Sequence, residues 1–226
     1  AVFPGAVEMC NNNGACRKRD AGVMCPSFRA TGDEQRLTRG RANTLRLAIS
    51  GQLGPDSFAS DDMAATMKLC VGCKGCKREC PTGVDMARMK IEAQAAHNQK
   101  HGLSLQDRLI AYLPRYAGWA ARVPFLMNLR NSVPGLAKLT EKLTGFTATR
   151  DLPKWHARPF RDSEAATTAQ PKAVLFADTF NRFFEPENLR ATLKVLKAAN
   201  VPVHVATAAK GQRPLCCGRT FLSAGL

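Results

Sequence analysis

Cys70-Val71-Gly72-Cys73-Lys74-Gly75-Cys76-Lys77-Arg78-Glu79-Cys80-Pro81 sets three cysteines at C-x2-C-x2-C spacing and follows them with x3-C-P. Such spacing lets one tight loop wrap a cubane, each thiolate reaching a different iron, while the cysteine before the proline normally ligates a different cluster. Gly72 and Gly75 suit a loop whose backbone N–H groups must come close to sulfide, where a side chain would clash. Structural zinc sites more often use two separated C-x2-C pairs that close as a tetrahedron. The stretch is therefore read as the loop of a [4Fe–4S] cluster, in preference to zinc or a disulfide set.

Upstream lie Cys10-Asn11-Asn12-Asn13-Gly14-Ala15-Cys16 and Gly22-Val23-Met24-Cys25-Pro26-Ser27. The Asn run and Gly14 favour turns, so residues 1–32 are expected to be loop-like. Cys25-Pro26 resembles Cys80-Pro81, which makes the two segments unequal halves of a two-motif ferredoxin arrangement. In that arrangement the C-P cysteine of one half completes the cluster of the other. Cys25 then joins Cys70, Cys73 and Cys76 as the first-choice ligand set. Cys80 is the competing fourth ligand, or a member of a second site with Cys10 and Cys16, which is short of a fourth cysteine. One cluster is expected; a second cluster, or Cys10 and Cys16 as plain buried thiols, stays open.

The rest of the first part reads as helical. Residues 33–50 form a helix with Leu37, Leu45, Leu47 and Ile49 as its apolar positions and Arg36, Arg39, Arg41 and Arg46 as a basic side. That side is either a solvated face, a set of cations near the cluster, or a docking face for the electron donor. Further helices are expected over residues 61–69, with Met63 and Met67 in the core, and over residues 84–99, with Met86, Met89, Ala93 and Ala96 as its stripe. His97 and His101 stand at i, i+4, but no carboxylate lies between them, so they read as exposed helix-end histidines near the negative end of the dipole. Residues 104–145 continue as three short helices interrupted at Pro114, Pro124 and Pro134, with Tyr112, Tyr116, Trp119 and Phe125 packing them.

Periodicity is lost over residues 147–170, which read as a linker, and a domain boundary is placed near residue 170. Beyond it, residues 173–177 read as a buried strand, residues 186–199 as a helix with Leu189, Leu193 and Leu196 on one face, and residues 201–205 as the next strand. Strand, helix and strand at this spacing make a βαβ unit and imply a parallel sheet. Leu215-Cys216-Cys217-Gly218-Arg219 then enters a further helix, whose N-terminus would suit a thiolate or cluster.

Composition narrows the classes. The chain has 226 residues, 45% of them hydrophobic, a net charge of +15 and nine cysteines. No apolar run approaches the roughly 18 residues of a membrane span, though peripheral membrane association stays open. The start, Ala1-Val2-Phe3-Pro4-Gly5, lacks the pattern of a signal peptide. Cysteine-rich and leaderless, the chain is expected in the reducing cytoplasm with its thiols on metal. It has no initiator Met and stops at Ala224-Gly225-Leu226 inside a helix-like stretch, so it reads as a piece of a longer protein. Much of the positive charge (Arg17, Lys18, Arg19, Arg29, Lys68, Lys74, Lys77, Arg78) flanks cysteine motifs, where it would stabilise a reduced cluster. No zinc-finger spacing or interleaved aromatics accompany it, so no nucleic-acid partner is expected.

Taken together, Met9-Cys10-Asn11-Asn12-Asn13-Gly14, Gly22-Val23-Met24-Cys25-Pro26-Ser27, Thr38-Arg39-Gly40-Arg41-Ala42-Asn43, the cysteine loop and Cys216-Cys217-Gly218 resemble one family. It is the bacterial FAD-linked oxidases fused to a ferredoxin-like domain and a cysteine-rich CCG domain, in the subgroup of the D-2-hydroxyglutarate and D-lactate dehydrogenases. The resemblance implies a helical [4Fe–4S] ferredoxin-like domain over residues 1–170, with a helical extension at 103–145, followed by a partial α/β CCG domain at 171–226. It also implies an FAD domain upstream in the same polypeptide that oxidises a D-2-hydroxy acid. The cluster would pass its electrons to a quinone or an electron-transfer protein, and the fragment alone would lack dehydrogenase activity. No FAD-binding or catalytic residue is carried over. The CCG pattern places a lone cysteine some 30 to 40 residues before the pair; that window holds Asp178 and no cysteine, so ligation by Cys216 and Cys217 is in doubt. Two alternatives are a separate iron–sulfur subunit, as in glycolate oxidase or a quinone-linked respiratory dehydrogenase, and a zinc-stabilised basic module that binds nucleic acid.

Overall fold

The computed structural model describes residues 3–165 and 170–226. The chain divides into two units, one made of residues up to Leu103 together with Phe221–Leu226, the other of Ser104–Thr220.

The first unit is helical. It contains α1 (Phe3–Glu8), α2 (Pro26–Thr31), α3 (Thr38–Ile49), α4 (Asp61–Lys68), α5 (Gly75–Glu79) and α6 (Met86–His101). Residues 1–32 were expected to be loop-like, but α1, a 3-10 turn at Ala15–Arg17 and α2 lie there. Val7 and Phe28 are buried in the core, and Pro26 opens α2 at a position where its missing N–H costs nothing. The expected helix over 33–50 is two pieces. Asp33 accepts a hydrogen bond from Gln35 N at 2.9 Å to cap a 3-10 turn, and α3 begins afresh after extended Leu37. The inner face of α3 is Thr38, Arg41, Ala42, Leu45 and Ala48, the spacing of one helical stripe. Leu47 and Ile49 fall off that stripe and are partly exposed.

Helices α4 and α6 lie close to their expected bounds. Ser60 caps α4 by accepting from Met63 N, and Asp85 caps α6 by accepting from Arg88 N. Met63, Met67, Met86, Met89 and Ala93 are buried in one core with Val7, Phe28, Leu37, Ala42, Leu45 and Val84. Cys10, Cys16, Cys25 and Cys76 belong to the same core. The C-terminal residues are pinned to this unit by Asn98 Nδ2, which donates to Ala224 O at 2.6 Å.

The second unit begins with α7 (Leu105–Ala111), α8 (Leu113–Ala120), α9 (Pro124–Ser132) and α10 (Leu136–Thr144). Three helices broken at prolines were expected here; a fourth arises because Pro114 sits in the first turn of α8 and starts it. Ala117, Ala120 and Ala121 pack with Trp155, Tyr116 and Phe183. Trp119 and Phe125, expected to pack, are instead 72% and 79% exposed.

The boundary placed near residue 170 falls inside this unit. The physical reason is that the chain before 170 bonds to the chain after it: His156 N donates to Phe183 O and Phe160 N to Arg182 O, both at 2.9 Å. The segment before 170 is also held by side-chain amides on α9. Asn128 Nδ2 donates to Trp155 O and Asn128 Oδ1 accepts from Trp155 N, both at 2.9 Å, while Asn131 makes the same pair of bonds with Leu152. Two amides three residues apart thus hold the aperiodic segment as a strand partner would. Arg130, also buried, donates to Thr140 Oγ1 at 3.0 Å and Thr147 O at 2.7 Å and so ties in the chain after α10.

The α/β portion consists of β1 (Ala173–Leu175), α11 (Thr179–Phe183), α12 (Pro186–Ala198) and β2 (Val203–Val205). The strands are parallel, with Ala173 opposite Val203 and Leu175 opposite Val205. Leu189 on α12 is buried with Phe160, Ala177 and Val205, and Leu193 packs against them. Residues 173–177 were read as a buried strand, but Val174 is 68% exposed, so this small sheet is covered on one face only. A last short helix, α13 (Arg219–Ser223), follows the Cys216–Cys217 loop.

Gly40 makes the tightest glycine contact of the first unit. A Cβ there would stand 2.0 Å from the Glu34 carbonyl oxygen, because α3 packs directly on the preceding 3-10 turn. Overpacking of backbone against backbone costs about 1–3 kcal/mol. Gly40→Ala is therefore expected to lower the thermal midpoint by several degrees, measured by circular dichroism, whereas Gly51→Ala, with open space at its Cβ, should lose only its left-handed glycine conformation.

Candidate metal centre

α4 leads into Cys70, and the loop turns through Gly72 (φ 63°) and Lys74 (φ 58°) before α5 carries Cys76 inward. Cys80 closes α5, and its N–H reaches Cys76 O at 2.9 Å. Cys25 is the N-cap residue of α2. Cys25, Cys70, Cys73 and Cys76 line a single depression with Met24, Ser27, Thr38, Arg41 and Met86. Cys80 is not among its lining residues. Cys25 thus lines the same depression as the three loop cysteines.

The crossing of the two segments is tightly specified. The Glu79 carboxylate accepts from Val23 N at 2.8 Å and Met24 N at 3.0 Å, immediately before Cys25. A Cβ on Gly75 would meet Val23 Cγ2 at 2.9 Å, and one on Gly22 would meet Glu79 Oε2 at 2.7 Å. Arg29 fastens the same segment from the other side, its Nε donating to Met24 O at 3.1 Å. These bonds hold the Glu79 carboxyl below the usual carboxylate range, the Val23 and Met24 N–H groups contributing most. Sequence reasoning missed Glu79, although its place between Cys76 and Cys80 was visible.

Arg41 is fully buried beside these cysteines. Its Nε donates to Thr66 O at 3.0 Å, Nη1 and Nη2 each reach Ser27 Oγ at 3.2 Å, and Nη1 faces Cys25 Sγ at 3.9 Å. Among the described residues no carboxylate pairs with it. The basic side read on α3 is therefore split. Arg41 turns into the core, Arg46 Nη2 donates to Cys10 O at 2.8 Å, and Arg39 pairs with Glu34 at 2.7 Å.

The thiols differ in character. Burial works against ionisation of Cys25, but the Ser27 hydroxyl, the Phe28 N–H, the Arg41 charge and the Thr38 hydroxyl outweigh it and bring the thiol below its ordinary range. Burial also opposes Cys80, where the Thr82 hydroxyl and the N–H groups of Val84, Thr82 and Gly83 prevail and lower it. Burial wins at Cys76 and at Cys16, pushing both up. N–H donors aimed at sulfur and a buried cation with no carboxylate suit the charge of a dianionic four-thiolate cluster, and Cys25, Cys70, Cys73 and Cys76 line one depression beside them. The donor set fits [4Fe–4S].

Cys10 and Cys16 are buried close enough to influence one another, and Cys80 packs against the same core. Asn13 occupies the middle of the Cys10–Cys16 interval, and its Oδ1 accepts from Ala15 N at 2.9 Å. Cys216 and Cys217 sit before α13 in the second unit, which contains no other cysteine. Asp178, in the window where a partner cysteine was sought, caps α11 by accepting from Phe180 N at 2.9 Å. His97 and His101, on α6, are joined by Asp61 from α4.

The class follows from these features and from comparison. Residues 6–84 match the 4Fe-4S dicluster domain. Over 94% of its length the chain is 24% identical to D-2-hydroxyglutarate dehydrogenase of Pseudomonas putida, covering 26% of that protein. It is 27% identical over 66% of its length to D-2-hydroxyglutarate dehydrogenase of Escherichia coli, covering 18% of it. A probable glycolate oxidase iron-sulfur subunit of Bacillus subtilis is 30% identical over 38% of the chain, which covers 19% of that protein. The chain spans about a quarter or less of the length of these curated relatives. No solved structure matches it.

Glu79→Ala removes the acceptor that holds Val23 and Met24 against α5. The purified variant is expected to retain less iron than wild type, with Glu79→Gln intermediate, when iron is measured per chain after anaerobic purification. Equal iron in all three would show that the crossing does not depend on this carboxylate.

Proposed function

We propose that Cys25, Cys70, Cys73 and Cys76 hold one [4Fe–4S] cluster and that the chain is the iron–sulfur electron-transfer portion of a flavin-dependent D-2-hydroxyacid dehydrogenase of the D-2-hydroxyglutarate or D-lactate type. The observation that carries this reading is the buried Arg41 guanidinium, facing Cys25 Sγ at 3.9 Å with no carboxylate partner among the described residues. A buried cation left uncompensated is costly, and thiolates are the anions within reach. A bound cluster supplies one-electron transfer between the flavin side and an acceptor such as a quinone or an electron-transfer protein. The residues of this chain set the conditions: Arg41 and the N–H donors favour negative charge on sulfur, Met24 and Met86 exclude water, and Glu79 fixes Cys25 in place.

Similarity extending through both units favours the dehydrogenase reading over a separate glycolate oxidase-type subunit, whose likeness covers a smaller share of the chain. The FAD domain and its D-2-hydroxy acid belong to this proposal, as do delivery to the acceptor and residence in the cytoplasm; among the described residues no helix is long and apolar enough to cross a membrane. The α/β portion after residue 170 is proposed as part of a CCG domain whose Cys216 and Cys217 do not hold a cluster. Cys10, Cys16 and Cys80 form a three-thiolate set without a fourth.

Iron and acid-labile sulfide per chain test the assignment. About four irons per chain, lost in Cys25→Ala and kept in Cys80→Ala, are expected for one crossed cubane. The reverse pattern would move the cluster to Cys70, Cys73, Cys76 and Cys80. About eight irons would mean that the Cys10, Cys16 and Cys80 set finds another ligand, and zinc without iron would end the redox reading.

Arg41→Met supplies the complementary test. With metal removed, the wild type buries an unanswered charge worth on the order of 3–5 kcal/mol, so the variant should be the more stable apo-protein in urea. With metal bound the order should reverse. A loss of stability of the same size in both states would sink the counter-charge role of Arg41.

A further inference from the structure

We propose that Asp61, His97 and His101 form a second metal site, separate from the cysteines, that takes a divalent transition ion of the zinc, cobalt or nickel class and clasps α4 to α6. The two histidines stand one helical turn apart on α6, and their rings are stacked with centroids 4.5 Å apart and planes 25° apart. Asp61, the first residue of α4, brings its Oδ1 to 2.8 Å from His97 Nε2. The three donor atoms all lie within 4.8 Å of one another. Two ligands bound at about 2.1 Å to one ion stand roughly 3–3.4 Å apart, so small side-chain rotations close the set.

Three features support metal over a plain ion pair. Asp61 is largely exposed, where a lone carboxylate–imidazole contact contributes little, while an ion there can complete its shell with water. His101 Nε2 lies 3.2 Å from Ala59 O. An N–H donated to that carbonyl leaves Nδ1 as the lone-pair donor, the arrangement that ligating histidines usually show. Lys100, the nearest competing cation on α6, is occupied by Asp56 at 2.9 Å. Two imidazoles and one carboxylate suit borderline divalent ions and leave open positions. In a chain of net charge +15 such a spot is not a general consequence of surface acidity. Sequence spacing alone showed the histidine pair; the carboxylate is contributed from 36 residues away and appears only in the fold.

The clasp joins the start of α4, the helix that runs into Cys70, to the end of α6, the helix that follows Cys80. The test uses the full chain, purified anaerobically with its iron and sulfide already measured, and ZnCl2 titrated by calorimetry. Saturable binding of about one equivalent in the micromolar range, with a raised thermal midpoint, is expected. His101→Ala keeps Asp61, His97 and the buried core, and should weaken binding at least tenfold. His97→Ala should do the same, and Asp61→Asn should weaken it severalfold. CoCl2 should give a weak, open-shell nitrogen and oxygen spectrum. Absence of binding up to about 100 μM, binding unchanged in His101→Ala or Asp61→Asn, or an intense thiolate-to-cobalt band would each overturn the site.

Discussion

The cysteine depression of the first unit is built beside a positive charge that water cannot reach. The Arg41 guanidinium stands 3.9 Å from Cys25 Sγ and is fully buried. At about 4 Å a pair of unit charges interacts by roughly 1 kcal/mol in water and roughly 4 kcal/mol at the effective dielectric of a protein. Placement, more than number, therefore decides which of the 33 basic residues matter to the cysteines. Lys74 and Lys77 both turn to Asp85, Arg17 and Arg39 share Glu34, and Arg29 serves backbone carbonyls. Arg41 faces Cys25, and the Arg39 charge also favours ionisation of Cys16. The second unit's buried Arg130 donates to Thr140 Oγ1, Arg150 O, Phe146 O and Thr147 O, with no thiol among its partners.

The same constraint explains the tightness of the packing around α3. To turn Arg41 inward, α3 must lie directly on the 3-10 turn before it, which leaves no room for a side chain at Gly40. Ala42 on the same inner face is fully buried, and Asn43 holds Arg46, whose guanidinium reaches Cys10 O. The Arg-Gly-Arg-Ala-Asn string is thus one structural device with each residue committed. It connects the Cys25 depression on one side of the helix with the Cys10 segment on the other.

Local spacing carried the cysteine loop, α4, α6 and the parallel strand pair, because C-x2-C-x2-C, helical stripes and β-rich runs are short-range signals. Features made by long-range contacts were not legible. Glu79 could not be told from a surface acid until the chain placed it against residues 23 and 24, 55 or more positions away. Arg41 looked like one more charge on a basic helix face. The anchoring of residues 152–155 was invisible for another reason: amide side chains on α9 replace the apolar periodicity by which packed segments are recognised. That anchoring keeps residues 152–155 with α9 in the second unit.

The cysteines outside the depression can be ordered by the same electrostatic reasoning. Cys10, Cys16 and Cys80 share a core with Arg46 and Arg39 close by, but Arg46 is spent on a carbonyl and Arg39 on Glu34. Burial pushes Cys16 up, and Asn13, at the midpoint of its interval, uses its oxygen on the local backbone. Among the described residues no fully buried cation faces this set, although the Arg39 charge and N–H favour ionisation of Cys16. In the second unit Cys216 and Cys217 lack even a third thiolate, and the residue standing in the expected window is engaged as a helix cap. A cluster brings negative charge into a core, and the core must be built to receive it. Of the three cysteine groups, the one made by Cys25, Cys70, Cys73 and Cys76 is the one that the buried Arg41 faces.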